Sequence, residues 1–267
     1  MMRILLLAPI STSLYSRATA RLIQREPGLE LAGVVIRSIF NWKRFRAELR
    51  RDGPRLLQKV RQKFVLGVSA YPDDDRDGMG VYVETIGLLR GTLRDDARRW
   101  NVPCLVVPDH NHSRSVGLLH RLEPDLVVFT GGGLIRQKVL DLSGGGVLNC
   151  HSGILPRYRG MDVVEWPLLE QEIEPEIGLT THFMDRGVDT GPILLQHRET
   201  IRSADSFESI RRRMESRMPV LMLETLRGLR DGTLTPVPQS ESAGQQYFVM
   251  HPRLQEVAAG RLRRLAS

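Results

Sequence analysis

The chain lacks the features that mark disulfide-rich, metal-binding and membrane proteins, since it has few cysteines, no metal-ligand motif and no long apolar run. It contains two cysteines among 267 residues. Both fall in predicted buried strands, so we expect free thiols in a reducing compartment. No Cys/His cluster has the spacing of metal ligands, and we therefore expect no bound metal. There is also no run of about 18 apolar residues, which argues against a transmembrane helix.

The N-terminus indicates the compartment of the protein, and the charge distribution indicates what it could bind. Residues 2–10 are apolar but begin a predicted strand, and they lack the basic start and cleavage site of a signal peptide, so we expect a cytoplasmic protein. The net charge is +7, and residues 37–63 hold ten Lys/Arg against two Asp/Glu. This excess is local. Its interpretation stays open between a phosphate site for an acceptor, a nucleic-acid surface and a solvated face.

Short apolar runs alternate with helical patterns along the first 151 residues. Strands are predicted at 2–8, 30–36, 102–107, 125–130 and 146–151, and helices at about 14–26, 113–122 and 134–141. This alternation predicts an α/β fold with a doubly wound, mostly parallel sheet. The stretch 37–100 is too long for one crossover, so we expect it to be a helical, basic insertion.

The pattern changes after residue 201. A long amphipathic helix is predicted to begin near residue 203 or 205, with Asp205 and Glu208 as a capping pair. Pro219 is expected to kink or restart this helix, and a short basic helix is expected at 252–265. We therefore predict a catalytic domain at 1–201 and a small, mainly helical C-terminal extension at 202–267.

A polar motif lies at the end of the predicted strand 146–151. Side chains alternate across a strand, so Asn149 and His151 share one face while Cys150 points to the other. Ligands of open α/β sheets bind beyond the carboxyl ends of the strands. Asn149 and His151 are therefore candidate site residues, and Cys150 is not expected to act as a nucleophile.

A second loop is predicted to present a carboxylate. The β-rich run 178–184 leads into the turn-rich segment 185–192, which carries Asp189. A carboxylate beside an imidazole raises the imidazole pKa, which favours a protonated, donating ring. An amide N–H and an imidazolium aimed at one point can stabilise an oxyanion. The trio Asn149, His151 and Asp189 thus predicts acyl transfer onto an amine.

Three segments in order carry a family resemblance: Asn149-x-His151, Leu155-Pro-x-Tyr-Arg-Gly160 and Asp189-Thr-Gly191. They resemble the formyltransferases that use N10-formyltetrahydrofolate, which act on glycinamide ribonucleotide, methionyl-tRNA or nucleotide-linked amino sugars. The similarity is specific over residues 125–196. It implies a Rossmann-like core, the same trio as catalytic residues, and N10-formyltetrahydrofolate as the formyl donor without a metal.

The resemblance also implies where the pteridine ring of the donor would bind. Two loops would receive it, mostly through backbone groups, and glycines permit a close approach of ligand to backbone. The implied donor-binding residues are Gly132, Gly133, Leu134 and Ile135 in one loop, and Asp185, Arg186, Gly187 and Val188 in the other.

Candidate acceptor-binding residues are less specific. Hydroxyl residues replace the glycine-rich phosphate loop of the glycinamide ribonucleotide enzymes, so they could bind the acceptor or simply cap a helix. Two acidic residues three apart could face an amine or complement a helix dipole. The predicted set is Ser11, Ser13, Tyr158, Arg159, Asp162 and Glu165.

The leading hypothesis is transfer of a formyl group to a primary amine of a small metabolite, with a nucleotide-linked amino sugar preferred. Methionyl-tRNA is the alternative acceptor. It is disfavoured because the tail is too short for the separate β-barrel domain of the initiator-tRNA enzymes. A non-catalytic module that binds nucleic acid or a protein partner is the alternative from another class. We expect folate and a small amine as partners, and neither a membrane nor nucleic acid; a homodimer stays open.

Overall fold

The computed structural model describes residues 1–38, 78–170, 173–240 and 242–267. The strands are β1 (Met2–Ala8), β2 (Leu29–Arg37), β3 (Cys104–Val107), β4 (Leu126–Phe129), β5 (Val147–His151), β6 (Tyr158–Gly160), β7 (Gly178–Phe183), β8 (Ile193–Arg198) and β9 (Gln245–Tyr247). The described helices are α1 (Leu14–Arg25), α2 (Met79–Thr85), α3 (Leu93–Arg99), α4 (Ser113–Leu122), α5 (Gln137–Asp141), α6 (Glu165–Glu170), α7 (Phe207–Arg230) and α8 (Pro252–Leu265). The basic segment predicted at 37–63 lies outside the described residues, except for its first two.

Seven of the described strands form one sheet in the order β3-β2-β1-β4-β5-β7-β8. The pairs from β3 to β5 are parallel, whereas β7 and β8 are antiparallel to their neighbours. The predicted mostly parallel α/β fold is therefore confirmed. The carboxyl ends of β1, β4 and β5 meet at one edge of the sheet, where the fold class places its ligands.

The central strands β1, β2 and β4 are largely buried on both faces, as a doubly wound fold requires. Alternate side chains of β1 enter two separate cores: Ile4 packs in the one that contains residues of α1 and α7, and Leu5 in the one with α4 and α5. Within the described ranges, no helix has the length and apolar character needed to cross a membrane.

Two local expectations were wrong. Cys104 was expected to be buried, but β3 is the edge strand and its thiol is exposed. The cap of α7 is Ser206, which forms a capping box with Ser209, because Asp205 instead accepts two hydrogen bonds from Arg213. Helix α7 continues through Pro219 without restarting, and a kink at this residue stays a prediction.

The C-terminal segment returns to the loop that follows β5. Strand β9 pairs in parallel with β6, and helix α8 packs against α6. Helix α7 packs against α1 and against strands of the main sheet. The boundary at residue 201 stays a prediction, but the residues beyond it are in contact with the core.

Candidate active site

Strand β5 presents two polar side chains at the carboxyl edge of the sheet. Asn149 pairs with Phe129 of β4 and with His182 of β7, so it is held from both sides. His151, two residues on, is buried with 6% of its surface exposed. Cys150 lies in the hydrophobic core on the opposite face, as predicted from strand alternation, and burial raises the pKa of its thiol strongly.

Asp189 reaches both imidazoles at this edge. Its Oδ2 lies 3.4 Å from Nδ1 of His151, and its Oδ1 lies 3.5 Å from Nε2 of His182. The backbone N–H of Gly160 donates to Oδ2 at 3.0 Å. Asp189 has φ +55°, a left-handed conformation that few non-glycine residues adopt. The structure thus brings the predicted carboxylate and imidazole together.

A second histidine, which the sequence reasoning missed, links Asn149 to this group. Nδ2 of Asn149 donates to Nε2 of His182 at 3.2 Å. Nδ1 of His182 faces the carbonyl oxygen of Phe183 at 2.8 Å, and since a carbonyl only accepts, Nδ1 carries the hydrogen. The available signal was its place in the β-rich run 178–184, on a strand that could pair with the end of β5.

The ionisation of His151 differs from the expectation of a protonated ring. Burial lowers the pKa of His151 below its usual 6.5, and this effect outweighs the opposing influence of Asp189 and of the Tyr158 carbonyl. Nε2 of His151 donates to that carbonyl at 2.8 Å. The neutral ring therefore has its unprotonated nitrogen, Nδ1, on the side of Asp189.

Asp189 is ionised in the same surroundings. Burial raises the pKa of this carboxyl, but its interactions with His182 and His151 and the hydrogen bond from the Gly160 N–H outweigh burial and hold the pKa below the usual 3.8. The site therefore combines a neutral imidazole with a carboxylate. That pairing can accept a proton and stabilise the cation that results.

A cavity of about 580 Å³ opens next to the Asp189 turn. It is lined by both loops that the resemblance assigned to the pteridine, through Leu134 and Ile135 on one side and residues 185–188 on the other. Asp109, Asn111, Arg136, Gln137, Leu140 and Met184 complete the lining. In the described part of the chain, no group of three or more His, Cys, Asp or Glu side chains is arranged to hold a metal ion.

The glycine turn beside this cavity is shaped by a buried histidine. Gly131, Gly132 and Gly133 all have positive φ, between +99° and +119°. Nε2 of His110 donates to the carbonyl of Gly131 at 3.2 Å, and burial lowers the pKa of His110 to about 4. A Cβ on Gly132 would lie 2.5 Å from that nitrogen, so the turn requires glycine there. The sequence reasoning did not identify His110.

The two candidate serines for the acceptor have structural partners. Ser13 caps α1, its side chain accepting a hydrogen bond from the Ser16 N–H. Oγ of Ser11 accepts from the backbone N–H of Arg94 at 3.4 Å. A role for either in binding an acceptor stays a prediction.

The other four candidates lie around strand β6 and the start of α6. Tyr158 is fully buried and donates its hydroxyl to Glu170. Arg159 is also buried. Asp162 accepts from the backbone of the C-terminal segment, and Glu165 is paired with an arginine of α7. Burial raises the pKa of Glu165, although that arginine opposes the shift. Their contact with an acceptor stays a prediction.

Sequence comparisons match the part of the chain that carries the trio. Residues 108–226, which contain the whole trio, match the family model described as formyl transferase. A methionyl-tRNA formyltransferase from Pelobacter propionicus is 36% identical over 58% of this chain and 48% of its own length. One from Kosmotoga olearia is 30% identical over 70% of this chain and 58% of its own. The chain spans about half the length of these curated relatives.

Comparison of structures gives the same fold. Glycinamide ribonucleotide transformylase 1 from Symbiobacterium toebii superimposes with a TM-score of 0.55 at 23% identity, over 90% of this chain and 95% of that one. An identity this low supports the fold alone. The matched family model and the curated relatives show that residues 108–226 of this chain are a formyl transferase domain, and the trio lies within it.

Proposed function

We propose that this protein transfers a formyl group from N10-formyltetrahydrofolate to a primary amine of a small metabolite. The observation that carries the proposal is the cluster of Asn149, His151 and Asp189 at the sheet edge, directly beside a cavity of about 580 Å³. Val188 lines the cavity and Asp189 follows it in the chain. A donor bound in the cavity would therefore lie next to the catalytic groups.

The cavity has the properties that the donor requires. Its volume lies within the range of small-ligand pockets, roughly 300–1,000 Å³. Leu134, Ile135 and Met184 offer an apolar surface to a flat ring, while Asp109 and Asp185 offer acceptors for its N–H groups. The bound donor would supply an activated formyl carbon; all other groups in the reaction belong to this chain or to the acceptor.

The residues of the trio have separate roles in this proposal. The amide of Asn149 donates to the oxygen that becomes negative when an amine attacks the formyl carbon. Neutral His151 accepts a proton from the attacking amine on Nδ1, because its Nε2–H is donated to the carbonyl of Tyr158. Asp189 then stabilises the imidazolium, and His182 holds the Asn149 amide in place. The imidazolium would return its proton to the donor nitrogen as the bond between that nitrogen and the formyl carbon breaks, which leaves the formyl group on the amine and His151 neutral again.

A nucleotide-linked amino sugar is our preferred acceptor. The predicted support is a basic segment able to meet a diphosphate, whose residues Arg44, Arg46, Arg50 and Arg51 lie outside the described part of the chain. Replacing these four arginines by glutamate should raise KM for a phosphate-bearing acceptor in a salt-dependent way and leave KM for the donor unchanged.

Methionyl-tRNA is the second candidate acceptor. The relatives from Pelobacter propionicus and Kosmotoga olearia carry that name, although this chain matches only about half their length. Binding to tRNA would weaken steeply with added salt, because it depends on phosphate contacts.

The test is a formyl-transfer assay with N10-formyltetrahydrofolate and two acceptor sets: nucleotide-linked amino sugars and methionyl-tRNA. Product is detected by mass spectrometry, and His151→Ala serves as the inactive control. Formylation of an amino sugar supports the proposal. Formylation of the tRNA alone would identify methionyl-tRNA as the acceptor instead. If neither set is formylated and the protein binds no folate analogue, the proposed function is wrong.

A further inference from the structure

The turn that carries Asp189 is held by a residue of the C-terminal segment. Nε2 of Gln239 donates to the carbonyl of Asp189 at 3.0 Å and to that of Gly191 at 2.6 Å. These two acceptors lie on either side of Thr190, so a single amide group joins the two ends of the turn. Gln239 lies 50 residues after Asp189 in the chain.

The other end of the Gln239 amide is held by Arg159. Nε and Nη2 of Arg159 approach Oε1 of Gln239 at 3.3 and 3.2 Å. The same guanidinium donates to the carbonyls of Ser240 and Ala243. The amide orientation is therefore determined by its partners: its oxygen faces donors and its nitrogen faces carbonyl acceptors, and a flipped amide would oppose both.

Three consecutive residues of β6 thus reach three parts of the site. The carbonyl of Tyr158 accepts from His151, the side chain of Arg159 holds Gln239, and the N–H of Gly160 donates to Asp189. Strand β6 is itself held by β9 of the C-terminal segment. The Asp189 carboxylate is therefore fixed through its side chain by β6, and through its backbone by Gln239.

We propose that Gln239, supported by Arg159, is a positioning residue that keeps the Asp189 carboxylate beside His151. A left-handed backbone at a residue other than glycine persists only when its surroundings enforce it. Without the two hydrogen bonds from Gln239 the Asp189 peptide relaxes, and its carboxylate moves away from the imidazoles. This proposal rests on the proposed function for its kinetic test, but not for its spectroscopic one.

The decisive variant is Gln239→Glu. A carboxylate retains the acceptor for Arg159 but replaces the donor that faced two carbonyls, so it breaks only the link to the turn. We expect kcat to fall about 10²-fold at pH 8, as for a displaced catalytic group, with KM for the donor little changed. Protonation of the new carboxyl restores one donor, so the ratio of variant to wild-type kcat should rise as the pH falls.

The matched control is Gln246→Glu, the same change at an exposed side chain of β9. It should leave kcat and the melting temperature unchanged. Gln239→Met, which keeps the volume and removes every polar contact, should lower kcat with no pH-dependent recovery. A kcat ratio for Gln239→Glu that is constant with pH, or a kcat within threefold of wild type, would overturn the proposal.

Histidine NMR titration tests the positioning independently of turnover. If Asp189 moves, His151 loses the charge that opposes its burial, so its pKa should be lower in Gln239→Glu than in the wild-type and Gln246→Glu proteins. Should the wild-type enzyme formylate no amine, the proposed function fails while this titration still decides the role of Gln239. Identical His151 titrations in all three proteins would refute the positioning role.

Discussion

The strand end that carries Asn149 and His151 and the turn that carries Asp189 reach the same site by different means. Strand β5 is paired on both sides by β4 and β7, so its side chains follow from sheet register. The Asp189 turn has a left-handed backbone and depends on Gly160 and Gln239, which lie far away in the chain. The positions of Asn149 and His151 therefore follow from the geometry of strand β5 within the sheet, whereas the position of Asp189 is enforced by contacts with residues remote in the chain.

The strand end and the Asp189 turn should respond differently to mutation. A change at the strand end should remove one chemical group and leave its neighbours in place, because the ladder of β5 does not depend on those side chains. A change in or around the turn should alter geometry as well as chemistry. Four substitutions test this contrast.

The largest effect is expected for His151→Ala. Removing the proton acceptor should lower kcat by about 10²–10⁴-fold. Affinity for a folate analogue should stay within roughly an order of magnitude, because the cavity is lined by other residues. Single-turnover kinetics and calorimetry measure the two quantities. His120→Ala, at an exposed position of α4, is the control; full activity of His151→Ala would disprove the mechanism.

Asn149→Ala should have the next largest effect, a loss of about 10²–10³-fold in kcat if the amide donates to the developing oxyanion. Asn149→Asp keeps the size and removes the donor, so the two variants should lose similar amounts of activity. Steady-state kinetics at saturating donor measures both. Wild-type kcat in Asn149→Asp would mean that the amide supports His182 and takes no part in the reaction.

Asp189→Asn should lower kcat by roughly 10- to 100-fold, as for a partner that orients a functional imidazole. The activity needs neutral His151, so the wild-type rate should fall as the pH drops through a pKa below 6.5. Asp189 raises that pKa, and its neutralisation should move the acid limb to lower pH. The measurement is kcat against pH. An unchanged profile at full activity would show that Asp189 only shapes the turn.

The smallest effect on activity is expected for Cys150→Ser, which changes the opposite face of the same strand end. The buried hydroxyl needs a partner, so the free energy of unfolding should fall by about 1–3 kcal/mol while kcat stays near wild type. Denaturant titration and kinetics measure the two. Cys104→Ser, on the exposed edge strand, should change neither. Loss of turnover in a folded Cys150→Ser protein would indicate covalent catalysis.

The contrast also explains which expectations succeeded. Strands β1 to β5, strand β7 and most helices were predictable because apolar runs and their turns are local signals, whereas β6, β8 and β9 were not predicted. The end of β5 was predictable because alternation is a property of one strand. Cys104 was placed wrongly because an apolar strand does not reveal whether it lies at a sheet edge. Ser206 replaced the expected cap because Asp205 pairs with an arginine two turns later.

Other features depended on contacts that no local pattern describes. His182 joins the site because β7 pairs antiparallel with β5 in a register that sets it opposite Asn149. His110 shapes the glycine turn across 21 residues of sequence. The low pKa of His151 follows from its burial, which the sequence could not quantify, and burial reversed the sign expected from Asp189 alone.

By itself the sequence determined the α/β alternation, the side chains at the end of β5 and the presence of a carboxylate in the following loop, because these depend on periodicity and turn chemistry within short segments. The tertiary structure decided that the carboxylate faces two histidines, that His151 is neutral, and that the C-terminal segment reaches the Asp189 turn through Gln239. Distances between remote residues and the loss of water around them arise only when the whole chain packs, and these quantities set the chemistry of the site.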